Sequence, residues 1–191
     1  FLPNYKLICT KPVKTVKDLE GLKIRTFGNF MPKMFAALKA TPVNVLPVEM
    51  YEALKRGSMD CSYLTYPFFV VFKLYEVAPY VIDVKFGGIN AYWLAINKRK
   101  FDSLPQNVQD LLVQTGKDAT EWGVKETYRI EDESLAELMT KGVTLVKFEE
   151  QQLLEDTVPD MIDEWIAEMA KLGKETEAKA YAATIRKELG L

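Results

Sequence analysis

Pro12-Val13-Lys14-Thr15-Val16-Lys17-Asp18-Leu19-Glu20-Gly21-Leu22-Lys23-Ile24-Arg25 is the stretch from which the rest of the chain is best read. The polar run to Asp18 reads as loop and Asp18-Leu19-Glu20-Gly21 as a turn. Leu22 to Thr26 then alternates as a short strand, with Leu22 and Ile24 on one face and Lys23 and Arg25 on the other. An arginine at the end of such a strand, just past a glycine turn, is well placed to hold an anion. The competing structural reading pairs Arg25 with a nearby acid, and Asp60, which ends a similar turn, is the obvious partner.

Outward from this strand, segments of period two and of period 3.6 alternate through the first hundred residues, which argues for an α/β layered fold. The expected strands are Tyr5 to Cys9, Leu22 to Thr26, Val43 to Val48, Ser58 to Thr65, Tyr80 to Val84 and Ile89 to Ile96. The short helices between them are Pro32 to Lys39, Glu49 to Arg56 closed by Gly57, and Pro67 to Tyr75. From Ser103, read as an N-cap with Pro105 in the first turn, apolar positions Val108, Leu111, Leu112, Thr115, Ala119 and Trp122 follow a helical period. The pattern continues through Val124, Tyr128, Leu135 and Leu138 to a stop at Gly142, with Gly116 and Gly123 as places where it would kink or split. Val143 to Phe148 reads as a final strand. Leu153 to Leu172 and Glu175 to Leu189 read as amphipathic helices separated by Gly173.

The turn, the Leu22-Lys23-Ile24-Arg25 strand and the later Tyr51-Glu52-Ala53-Leu54-Lys55-Arg56-Gly57-Ser58-Met59-Asp60 resemble the solute-binding proteins of tripartite ATP-independent periplasmic (TRAP) transporters. The resemblance runs from about Lys11 through Leu104-Pro105 to Lys141-Gly142-Val143 and fades in the acidic C-terminal third. It implies a type II periplasmic-binding-protein-like fold, a mixed sheet flanked by helices with a long helix linking two lobes. Relatives are usually about half as long again, and the chain starts at Phe1-Leu2-Pro3 with no initiator Met, so it is expected to be the C-terminal part of such a protein. The implied division is 1–88 as an α/β ligand-binding lobe, 89–130 as a crossover strand and long-helix start belonging to the other lobe, and 131–191 as a return to the first lobe with the C-terminal helices.

In the family the arginine matching Arg25 clamps the carboxylate of an organic acid. A planar guanidinium offers both carboxylate oxygens a fixed pair of donors, which lysine does not. The resemblance implies no catalysis and no cofactor, a small organic-acid ligand such as a C4-dicarboxylate, TRAP membrane permease subunits as partners, and a periplasmic location. Asn90, Tyr92 and Trp93 match the place where the family's chain crosses between lobes beside the ligand, Trp93 serving equally as hinge packing. Glu49 opens a helix near the ligand in relatives, while its bland role is a first-turn acid favoured by the helix dipole.

The stretch after Asp60 is Cys61-Ser62-Tyr63-Leu64-Thr65-Tyr66, where relatives that bind 2-oxo acids through a metal carry a glutamate. No carboxylate appears from Cys61 to Leu74, so a hard-cation site is not expected there. Thr65 or Tyr66 is instead expected to donate a hydrogen bond to the ligand, with Phe68 as a pocket wall. Phe68, Phe69 and Phe72 at helical spacing are also what a plain core stripe looks like.

Composition narrows the function classes. The 191 residues are 48% hydrophobic and 27% charged with a net charge of -2, enough for a sizeable core and without a basic footprint for nucleic acid or a membrane surface. The longest apolar runs, Pro67 to Phe72 and Ala91 to Ile96, fall far short of the roughly 20 residues a spanning helix needs. Histidine is absent, which removes the commonest general base and transition-metal ligand. Two cysteines, Cys9 and Cys61, sit in apolar strand-like segments; pairing and burial as small fillers are both compatible, and two free thiols are the expectation. The competing functions are an enzyme using Asp60 and Glu49 as a carboxylate pair, and an interaction module docking a partner on its acidic helices.

Overall fold

A computed structural model describes residues 4–87 and 94–190. Among these, the strands are β1 (Lys6–Cys9), β2 (Lys23–Thr26), β3 (Thr41–Asn44), β4 (Cys61–Leu64), β5 (Tyr80–Asp83) and β6 (Thr144–Lys147), forming a single sheet in the order β3-β2-β4-β1-β5-β6. β2 runs parallel to both β3 and β4, and β5 parallel to β6, while the central β1 is antiparallel to its two neighbours. The α/β layering expected from the alternating periods and the mixed sheet implied by the family resemblance are both present. The helices are α1 (Phe30–Ala37), α2 (Met50–Lys55), α3 (Tyr66–Val71), α4 (Lys98–Asp102), α5 (Gln106–Thr140), α6 (Gln151–Thr157), α7 (Met161–Lys171) and α8 (Glu175–Leu189).

Both faces of the sheet are covered at its centre, so the central strands read as almost unbroken buried runs rather than as clean alternation, while the edge strands β3 and β6 stay largely exposed. Lys6–Cys9 and Cys61–Leu64 are buried at every position. On one face Tyr63 lies 5.2 Å, ring to ring, from Phe35 of α1; on the other the Ser62 hydroxyl meets the Met50 sulfur of α2 at 3.1 Å.

Several boundaries differ from the sequence reading, each for a local reason. Cys9 and Cys61 form a disulfide rather than two free thiols. They face each other directly across the antiparallel β1–β4 pair with Cα atoms 4.1 Å apart, a separation that pleat geometry sets. Pro105, not Ser103, is the N-cap of α5, and Ser103 closes the short α4. The segment read as one helix from Leu153 to Leu172 is two, because Pro159 interrupts it and the Asp160 carboxylate accepts the Ile162 N–H at 2.7 Å to start α7 afresh. β3 lies two residues upstream of the expected Val43, and the region from Pro47 is helical. Residues 94–97 carry no strand, and residues 89–93 of the expected Ile89 to Ile96 strand lie outside the described residues.

The 35-residue α5 is one continuous helix through Gly116 and Gly123, about 50 Å long at the standard rise. Its apolar stripe is real but divided. Glu131, Ser134 and Leu138 are buried where α5 lies along α3, whereas every residue from 111 to 122 is exposed, Leu111 by 64% and Trp122 by 66%.

Candidate functional site

Arg25 is the last residue but one of β2, between two parallel neighbours and close to where the chain leaves the sheet. In open α/β sheets such carboxyl ends of strands, next to a change of strand direction, are where ligands collect. Leu22 and Ile24 fix the strand by burying the opposite face, and the Gly21 turn at φ +73° aims it. Arg25 pairs in register with Ser62, and its side chain rises on the face that α2 covers.

Only 5% of Arg25 is exposed. Its Nε donates to the Val45 carbonyl at 3.2 Å and its Nη1 to the Tyr63 carbonyl at 3.4 Å, while the guanidinium carbon lies 5.0 Å from the Phe27 ring centroid. No carboxylate pairs with Arg25 among the described residues. Burial holds the guanidinium below its ordinary pKa, with the Tyr5 phenol acting in the opposite sense. A cation taken from water and given only dipoles and a ring face is a group that gains when an anion arrives.

Asp60 is not the counter-ion the structural reading named. Its carboxylate accepts the Lys23 N–H at 2.8 Å and its own N–H donates to the Lys23 carbonyl, so it clips β2 to the start of β4. Asp60 therefore positions the arginine strand without neutralising it.

The other sequence-derived candidates divide. Thr65 is buried at the end of β4 and is the N-cap of α3, one residue past the strand whose Tyr63 carbonyl holds Arg25. Tyr66 is buried too, its ring edge-on to Phe69 and 5.7 Å from the Lys6 ammonium, beside Glu131 of the long helix. Desolvation raises the Tyr66 phenol well above its usual value. Phe68 is half-buried and stacks on Phe72 at 6.1 Å. Glu49 is exposed; its carboxylate accepts the Leu46 N–H at 3.4 Å and, with Val45, Val48, Glu52, Arg56 and Ser58, lines a cleft of about 400 Å³. Val45 thus links the two: its carbonyl holds Arg25 and its side of the chain walls the cleft. Asn90, Tyr92 and Trp93 lie outside the described residues. A second cleft, about 440 Å³, lies apart from Arg25 among Met34, Phe86, Leu154 and Val158, with Lys85, Glu155 and Asp160 at its margin.

What the sequence did not show is the setting of Arg25. The carbonyls of Val45 and Tyr63 carry no side-chain signal, and Phe27 lies just past the expected Leu22 to Thr26 strand. Tyr63 gathers Tyr5, Phe27, Phe35 and Phe86 around its ring within 6.2 Å, and its hydroxyl is buried without a partner among the described residues. Among the described residues no cluster of acids and cysteines is arranged to hold a metal ion.

The family profile of bacterial extracellular solute-binding protein, family 7 (DctP), matches residues 6–172. A solute-binding protein of Albidiferax ferrireducens is 26% identical over 178 residues, covering 91% of this chain and 48% of that protein. A TRAP periplasmic solute-binding protein of Desulfovibrio salexigens with bound orotic acid superposes with a TM-score of 0.78 at 22% identity, over 95% of this chain and 60% of its own. One from Sulfitobacter sp. NAS-14.1 with bound β-D-galacturonate gives a TM-score of 0.72 at 18% identity, over 93% and 59%. Likeness at such identities shows the fold, and the chain spans about half the length of the curated relative it matches.

Proposed function

This chain belongs to bacterial extracellular solute-binding protein family 7, a family of substrate-binding transport components rather than catalysts, and from that membership we propose that it captures a small organic acid by an Arg25–carboxylate clamp and hands it to a TRAP membrane permease. The observation that carries this reading is the buried arginine with no acid opposite it among the described residues. Keeping such a group costs stability, and a ligand carboxylate received bidentately offsets that cost.

The ligands named for the relatives, orotic acid and galacturonate, each present one carboxylate on a polar ring, which suits one guanidinium. The class proposed for this chain is accordingly an organic acid, with sugar acids at its centre and C4-dicarboxylates as the narrower alternative. Residues 1–88 and 131–191 form the ligand lobe in this reading, supported by β6 returning to pair with β5. Residues 89–130 belong with a second lobe, supported by the uncovered stripe of Leu111, Leu112, Val113 and Trp122 on α5. The Cys9–Cys61 disulfide suits an oxidising compartment and so supports the periplasm as the place of work. The enzyme reading loses its proposed pair, since the carboxylates of Asp60 and Glu49 are taken by the separate N–H groups of Lys23 and Leu46.

Thermal-shift screening of the full-length protein against uronates, orotate and C4-dicarboxylates, with and without EDTA, tests the proposal. Saturable stabilisation by an acid recovered unmodified, indifferent to EDTA, is expected, worth about 2.7 kcal/mol at a hundredfold excess over Kd. Turnover of the acid, loss of binding in EDTA, or no response to any carboxylate would overturn it.

A further inference from the structure

Among the described residues, Glu131 of α5 is another buried ionisable group that makes no ion pair. The residue is 9% exposed, and neither carboxylate oxygen makes a hydrogen bond of normal geometry among the described residues. It sits on the buried face of α5 with Ser134 and Leu138, where the long helix crosses from its exposed half onto α3. The groups facing it come from several elements. From α3, the Tyr66 backbone N–H is directed toward the carboxylate and the Tyr66 phenol lies close by. Lys6 approaches from β1, but its ammonium is committed to Asp83 of β5 at 2.7 Å and lies 5.7 Å from the Tyr66 ring centroid. Asp132 of α5 itself adds a like charge.

We propose that Glu131 is a proton-operated latch between the long helix and the start of α3: with the proton on, α5 seats against α3, and with the proton off, the buried charge loosens that seat. The physical reason is desolvation. A lone carboxylate in an apolar contact is costly, and an amide or carboxylic acid of the same shape costs far less. Burial pushes the Glu131 pKa up to about 7, against the opposing pull of the Tyr66 N–H and Lys6. The folded value therefore stands above the unfolded one, so the latch contributes its full stabilisation below the ordinary carboxylate range and loses it as pH rises through about 7.

The consequence reaches beyond one contact, because α3 begins at Tyr66, directly after Thr65, and these residues follow the strand whose Tyr63 carbonyl holds Arg25. A seat that loosens near neutral pH places a proton switch between the long helix and that strand end. The latch stands independently of the ligand reading, since its test contains no ligand.

Melting curves of the protein and of Glu131→Gln from pH 5 to 9 test it. The two are expected to lie close together near pH 5, to separate as pH rises from there to about 7, and to hold a constant gap above it, with Glu131→Gln the more stable. Hydrogen exchange in residues 66–71 should quicken roughly tenfold or more between pH 5 and pH 7 in the native sequence, after correction for the intrinsic rate, and level off above pH 7, but not in Glu131→Gln. Parallel melting curves, or a variant less stable at every pH, would overturn the latch. Should Glu131→Gln fail to fold, carboxyl carbon-13 titration of Glu131 in the unaltered protein decides: a transition near 7 supports the latch and one below 5 contradicts it.

Discussion

Replacing both Cys9 and Cys61 by alanine should cost the protein about 4 kcal/mol. The bond joins residues separated by 52 positions, and closing a loop of that length removes about 14 cal/mol/K of chain entropy from the unfolded state, or roughly 4 kcal/mol at 25 °C. The loop encloses β2, α1, β3 and α2, so it tethers the strand that carries Arg25 to the centre of the sheet. Little is recovered elsewhere, because β1 and β4 keep their ladder but each loses a fully buried sulfur. For a chain of this size each kcal/mol moves Tm by about 2 to 4 °C, so the double variant should melt about 8 to 16 °C lower. Differential scanning calorimetry reads the shift, and the wild-type protein in excess reductant should move toward the variant. Thiol titration of the denatured, unreduced protein should find no free thiol. Two free thiols, or coincident melts for the wild type and the double variant, would refute the reasoning.

Leu138→Ala, which empties a fully buried position under α5, should cost about 2 to 5 kcal/mol by chemical denaturation. Trp122→Ser should change stability by no more than about 0.5 kcal/mol, since the ring is 66% exposed. A loss well above that would mean the ring is already packed and would remove the support that the exposed half of α5 lends to the lobe division. Tyr63→Phe deletes a buried hydroxyl that has no partner among the described residues, so it should be neutral or stabilise by up to about 1 kcal/mol; a loss of that size would mean the hydroxyl is bonded.

The arginine strand was legible because two independent signals agree on it: a glycine turn, and alternation that buries Leu22 and Ile24. The α/β layering followed from alternating periods and the mixed sheet from the family resemblance, and the strand expectations for β1, β2 and β5 lie within a residue or two of the observed ones. The disulfide was not legible, because periodicity assigns Cys9 and Cys61 to strands but says nothing of which strand lies beside which. The break between α6 and α7 did have a signal, Pro159 followed by a capping Asp160, that the apolar pattern of Leu153 to Leu172 overrode. For α5 the 3.6 period correctly marks one apolar stripe and is silent about what covers it. The environment of Arg25 shows the same limit: main-chain carbonyls hold it, and those are common to every residue type.

Titration calorimetry of an organic acid that stabilises the full-length protein, repeated with Arg25→Lys, tests the account most directly. With the bidentate fork gone, the loss should be about 3 to 5 kcal/mol, at least a hundredfold in Kd, while the unliganded Tm stays nearly unchanged because no acid partner of Arg25 is left stranded among the described residues. Undiminished affinity in Arg25→Lys, or a large fall in the unliganded Tm, would show that this buried cation is part of the scaffold and not the hand that takes the ligand.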